Sequence, residues 1–227
     1  MSKIISFLSF LILLSTSVYA EQDTLCSRVA DELHEGDLIF LDIDNILFEQ
    51  VAVATKTWTS HVGVAIYNEG WFVVESAVLF SRETPLCKYL ARTQDERVEV
   101  RRLKEFLSSR HLEDLKSELS SQMGIMYDIG FDYDSQGLFC SKLVFNTYKN
   151  VLGIEVGEIK TFRMILGENS QSDLTIWQVW FLGNIPWDRR TVTPRDQLID
   201  DDFFTVFQNG DLRSTFSTAE KRSGKIP

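Results

Sequence analysis

The sequence predicts an α+β fold in which an antiparallel sheet packs against helices, one of them carrying a cysteine in its first turn. Three observations carry that expectation. Two strand-like runs, His61 to Tyr67 and Trp71 to Ala77, are separated only by Asn68-Glu69-Gly70, the length and composition of a hairpin loop. Leu112, Leu115 and Leu119 recur at helical spacing between His111 and Gln122. A second stripe of Leu143, Val144, Tyr148 and Val151 also contains Cys140 and is stopped by Gly153.

Taken in order, the chain opens with Lys3, an apolar run from Ile4 to Leu14 broken only by Ser6 and Ser9, and the cleavage-like Val18-Tyr19-Ala20. Residues 1–20 read as a signal peptide, because the run falls short of the roughly 20 apolar residues that span a bilayer. The expectation is an exported protein, periplasmic or secreted, with no integral membrane segment after removal of the signal. One domain follows over 21–212, and 213–227 is a polar, frayed tail. Within the domain a short helix from Ser27 to Leu33 precedes the turn Gly36-Asp37 and a strand from Leu38 to Leu41. A helix is expected over Phe48 to Trp58, a strand over Val98 to Arg102 and a loop over Gly124 to Gly137. Phe139 opens the helix that holds Cys140 in its first turn. A last helix covers Leu174 to Leu182, Pro186 and Pro194 act as breakers, and Phe203 to Phe207 is a hydrophobic run.

The hairpin fixes a register. With Tyr67 facing Trp71, Ala65 faces Val73 and Gly63 faces Glu75, so Val62, Val64, Ile66, Phe72 and Val74 share a core face. His61, Gly63, Ala65 and Glu75 share the other, with Glu75 diagonal to His61 and within side-chain reach. The small residues there leave room for another element.

A net charge of −10 gives no electrostatic reason for nucleic acid or an anionic membrane as partner. Asp200-Asp201-Asp202 lacks calcium-loop spacing and reads as solvated loop. Three histidines without His-x-x-x-His or Cys-x-x-Cys argue against a metal, and no cofactor is called for. If two of the three cysteines pair after export, Cys26 and Cys87 are the couple and Cys140 stays free. Three buried, reduced thiols remain the alternative.

A thiol at a helix N-terminus meets unpaired N–H groups and the positive end of the helix dipole, which favour the thiolate. Lys142 adds positive charge nearby. A lone cysteine on an apolar stripe is ordinarily inert core, and a histidine opening an apolar strand is ordinarily structural. The diagonal carboxylate changes the balance, since Glu75 could fix the imidazole tautomer and complete a nucleophile, base and orienter set.

The motifs Gly36-Asp37-Leu38-Ile39-Phe40, Ser60-His61-Val62-Gly63-Val64, Val74-Glu75-Ser76 and Phe139-Cys140-Ser141-Lys142-Leu143-Val144 resemble the permuted NlpC-type cysteine hydrolases of the YiiX/YebB-like group. The similarity continues through Val156-Gly157-Glu158, Trp180 to Trp187 and Thr191 to Pro194, closest to the YebB-like branch. It implies a permuted papain-like fold, with the histidine strand before the cysteine helix, and carries the family's nucleophile, base and third polar residue to Cys140, His61 and Glu75. Lys142 stands where related sequences often have an acidic residue. Relatives resembling lecithin:retinol acyltransferase usually place a second histidine where this chain has Glu75, which tilts the resemblance toward hydrolysis.

The resemblance implies an exported cysteine hydrolase cleaving amide bonds, those of cell-wall peptides, through an acyl-enzyme. A lipid or thioester acyl hydrolase or transferase, and a non-catalytic envelope binding protein, are the competing expectations. The partner is accordingly a peptide, murein or an acyl-bearing substrate. Tyr133 and Gln136 are candidate oxyanion donors.

Overall fold

The structure is a computed structural model that describes residues 25–167 and 174–213. The expected signal peptide and the tail from residue 214 lie outside the described residues. A six-stranded antiparallel sheet forms the centre, in the order β4-β3-β2-β1-β5-β8. Its strands are β1 (Leu38–Ile43), β2 (His61–Tyr67), β3 (Trp71–Ser76), β4 (Ser81–Pro85), β5 (Thr93–Leu103) and β8 (Phe203–Asn209). The hairpin register is the expected one, with Val64 opposite Val74, Ala65 opposite Val73 and Tyr67 opposite Trp71. The left-handed residue of its loop is Glu69, at φ 54°, rather than Gly70.

Alternation divides the central strands between two cores. Leu38, Phe40, Val62, Val64, Ile66 and Val74 face α5 (Cys140–Leu152) and α4 (Ser109–Ser121), where they meet Leu143, Val144, Tyr148 and Leu119. Each such side chain taken fully from water contributes roughly 1.5–3 kcal/mol, so this face sets the position of the cysteine helix. Ile39, Leu41, Ala65, Val73, Val98 and Val100 face the other way, toward α1 (residues 25–32) and α3 (Leu86–Leu90). Cys26 of α1 and Cys87 of α3 form a disulfide, leaving Cys140 as the free thiol.

The hairpin packs on the cysteine helix through its valine face, and the room expected on the small-residue face is taken by Tyr89 of α3. A Cβ at Gly63 would stand 2.5 Å from Val73 Cγ1 and 3.3 Å from the Tyr89 hydroxyl, so only glycine admits that ring so closely.

Other boundaries moved for local reasons. The helix expected over Phe48 to Trp58 is α2 (Ile46–Ala54), ended by a turn in which Thr55 Oγ1 donates to the Val51 carbonyl at 2.8 Å. β4 and α3 lacked a periodic apolar signal and were not expected. Beyond α5 come β6 (Lys160–Thr161), α6 (Phe162–Gly167), α7 (Leu174–Trp180) and β7 (Arg190–Thr191), with β6 and β7 paired as a small second sheet. Pro194 does not break the chain but opens α8 (Pro194–Leu198), with Thr193 accepting from the Asp196 N–H as its cap. Among the described residues no helix is long and apolar enough to cross a membrane.

Candidate active site

Cys140 is the first residue of α5. Phe139 precedes it in extended conformation, φ −129° and ψ 165°, and has no side chain able to cap the helix. The first-turn N–H groups are therefore available to a thiolate or to an oxygen bound beside it. Remote segments hold this turn in place: Ser141 Oγ donates to the Val192 carbonyl at 2.8 Å, and Gln197 Nε2 donates to the Ser141 carbonyl at 2.8 Å. Gly153, at φ 73°, terminates the helix in the left-handed conformation expected of a C-terminal glycine.

His61, the first residue of β2, is buried between the Phe48 and Tyr89 rings, whose centroids lie 6.0 and 5.8 Å from its own. Its Nε2 meets Glu75 Oε2 at 2.6 Å. Nδ1 makes no well-formed hydrogen bond among the described residues, yet the Cys140 thiol is close enough to act on the imidazole. Burial pulls the imidazole pKa down, but the Cys140 thiol and Glu75 more than offset it, and the value is raised to about 9. Burial pushes the Glu75 carboxyl the other way, and His61 and Arg92 hold it well below the ordinary carboxylate range. The three residues expected from the sequence thus meet in one place.

Sequence reasoning missed the groups around Glu75. Thr84 Oγ1 donates to Oε1 at 2.7 Å, Arg92 donates to Oε2 at 2.7 Å, and Arg82 Nε lies 3.5 Å from Oε1. Thr84 sits opposite Val73 in the β3–β4 ladder, so finding it required that strand pairing.

Lys142 does not serve the thiol. Its ammonium turns into the loop before α5 and donates to the carbonyls of Ser135 at 2.6 Å, Gly137 at 2.9 Å and Asp132 at 3.4 Å. Neither Tyr133 nor Gln136 lines the cavity at Cys140; the Tyr133 ring packs on Phe145 instead, at 5.4 Å. Tyr127 does line it. Its hydroxyl is buried and has no hydrogen-bond partner among the described residues, and burial first, with Cys140 second, raises its pKa well above the usual value and keeps it a proton donor.

That cavity is largely apolar, walled by Phe48, Val51, Phe131, Phe162, Leu166 and Trp177, with Cys140 in its lining. No group of three or more His, Cys, Asp or Glu poised to hold a metal occurs among the described residues.

Comparison with known proteins identifies the family and supports the fold. Residues 32–207 match the Peptidase C92 family, described as permuted papain-like amidase enzymes, YaeF/YiiX. The uncharacterized protein YiiX of Escherichia coli (strain K12) is 27% identical over 160 residues, 70% of this chain and 79% of its own. A crystal structure titled metalloprotein yiiX, from Escherichia coli O157:H7, superposes with a TM-score of 0.71 at 24% identity, covering 79% of this chain and 99% of that one. That likeness bears on the fold alone.

Proposed function

This chain belongs to the YaeF/YiiX family of permuted papain-like amidases and is a cysteine hydrolase, and from that premise we propose that Cys140 is its nucleophile, His61 its base and Glu75 the orienter of the histidine. The Cys140 thiol gives its proton to His61 and its sulfur attacks the substrate carbonyl carbon. The resulting oxyanion is held by the Cys140 backbone N–H and the Tyr127 hydroxyl. The imidazolium then protonates the departing amine, leaving a thioester on the sulfur. Water, deprotonated by the neutral imidazole, attacks that thioester; the carboxylic acid leaves and the thiol is restored.

The substrate side rests on one observation, the aromatic and aliphatic cavity beside the sulfur. Its polar lining consists mainly of hydroxyls, from Thr55, Ser60, Tyr127, Ser141, Thr191 and Thr193, with no charged side chain among the described residues. The charged groups of a cell-wall peptide would lose hydration there without an ionic partner. An amide with a short apolar acyl group loses nothing comparable and buries its first methylenes in this cavity of about 50 Å³. The acyl-bearing expectation is therefore favoured over murein, with amide cleavage retained as the reaction.

Hydrolysis of N-acyl amides of increasing chain length is the test. The kcat/KM is expected to rise by up to about fourfold per methylene while the chain still enters the cavity. A flat series, together with faster release of amines from murein peptides, would return the cell-wall reading. Loss of Tyr127 as Phe is expected to lower kcat by about a hundredfold with little change in KM.

Export is part of the same proposal. A disulfide is at home in an oxidising compartment, and Cys26–Cys87 supports the reading of 1–20 as a signal. N-terminal sequencing of protein from the host envelope is expected to begin at Glu21; an intact Met1 would overturn it.

A further inference from the structure

His61 and Arg92 compete for one atom. Oε2 of Glu75 lies 2.6 Å from His61 Nε2 and 2.7 Å from an Arg92 guanidinium nitrogen. The second carboxylate oxygen is occupied by Thr84 Oγ1 at 2.7 Å, so Glu75 stays anchored from that side without the arginine. Arg92 is itself held firmly. Its guanidinium carbon stands 4.9 Å above the Tyr89 ring centroid, and its Nε donates to the Tyr89 carbonyl at 3.4 Å. Tyr89 is fixed in turn, its hydroxyl donating to the Ile39 carbonyl at 2.8 Å, and its helix is tied to α1 by Cys26–Cys87.

We propose that Arg92 is a positioning residue that restrains the base: by sharing the Glu75 oxygen with His61 it weakens the carboxylate's hold on the imidazolium and sets the upper pH limit of catalysis. The inference rests on His61 being the base. An imidazolium bound too tightly by its carboxylate gives up its proton poorly, both to the departing amine and when it must return as neutral base. A cation on the same oxygen divides that carboxylate's negative charge and also repels the imidazolium directly, so both effects act in one direction. Among the described residues, the other charged and titratable groups facing the imidazole are Cys140 from α5, Glu75 from β3 and Tyr89 from α3, with Arg82 of β4 behind Glu75 at 3.5 Å. Tyr89 is buried and remains neutral, its pKa being raised well above the usual value by burial first and by Glu75 second. Arg82 is 54% exposed and at longer range, so its charge is screened more strongly than that of Arg92.

The experiment is the pH dependence of kcat/KM for the wild type, Arg92→Gln, Arg92→Lys and Arg82→Gln, with His61 followed by NMR in each. In Arg92→Gln the alkaline limb and the His61 titration are expected to move upward together by about half a pH unit or more, and Arg92→Lys to move less. Arg82→Gln is expected to leave both in place. An Arg92→Gln limb that stays put, with only the amplitude or the melting temperature lowered, would make the arginine a structural anchor. A downward movement would mean that it merely keeps Glu75 on the histidine, and either result overturns the proposal. If Arg92→Gln does not fold, the smaller upward shift in Arg92→Lys decides, and its absence counts against the idea. Failure of the underlying reading is separately visible, as a wild-type alkaline limb that does not coincide with the His61 titration.

Discussion

At the scale of single residues, the chemistry depends on the contact between the Cys140 thiol and His61. With its pKa raised to about 9, His61 can hold the proton it takes from that thiol. Alkylation of Cys140 by iodoacetamide near pH 6 is accordingly expected to depend on the imidazole. In His61→Ala the rate at that pH is expected to fall by about tenfold or more, measured by mass spectrometry of the modified peptide. Equal rates in the two proteins would remove the pair. Cys140→Ala is expected to abolish turnover, whereas Glu75→Ala leaves a residual rate because it removes orientation rather than the attacking group.

At the scale of elements, two packing contacts decide whether the site is assembled. Gly63 lets α3 approach β2, and a methyl there would overlap Val73 and crowd the Val74 carbonyl at 3.0 Å. Gly63→Ala is expected to cost about 1–3 kcal/mol in urea unfolding and to lower kcat, since Tyr89 packs beside His61. Lys142 joins α5 to the loop that carries Tyr127, through the three carbonyls it satisfies. Lys142→Met leaves those acceptors without their cation and is expected to cost about 2–3 kcal/mol. The thiol would keep its alkylation profile in that variant, because the ammonium is directed at the loop.

At the scale of the whole molecule, the disulfide and the buried ion pair set the conditions of stability. Cys26–Cys87 closes a separation of 61 residues, for which the denatured-state entropy lost is worth roughly 4 kcal/mol. A Cys26→Ser, Cys87→Ser double variant is expected to unfold at markedly lower denaturant, and peptide mapping of unreduced wild type to show the two joined. The pH dependence follows from two opposite shifts. His61, raised from 6.5 to about 9 in the fold, contributes its full stabilisation below pH 6.5 and loses it as pH rises through 9. Glu75, lowered from 4.5, contributes above that value and loses its contribution only as pH falls well below the carboxylate range. The site is most stabilising between those limits. Tm is expected to fall between pH 7 and pH 10 in the wild type, and to fall less in His61→Gln over the same interval.

The sequence by itself determined what depends on local periodicity. Alternation over 61–77 placed His61 and Glu75 on one face, and a 3.6-residue stripe ending at Gly153 placed Cys140 in the first turn of a helix. The family motifs then pointed to the same three residues. Periodicity says which face of an element a side chain occupies; it does not say which other element covers that face. Only the tertiary structure decided that α5 lies against the valines of β2 while Tyr89 fills the side of Gly63. The same limit hid Thr84, Arg92 and Tyr127, whose importance comes from strand pairing, a helix turn and a loop that bring them to Glu75 and Cys140. It also misdirected the reading of Lys142, because a long flexible stem near a thiol in sequence can reach a different set of acceptors, and three nearby carbonyls claimed its charge.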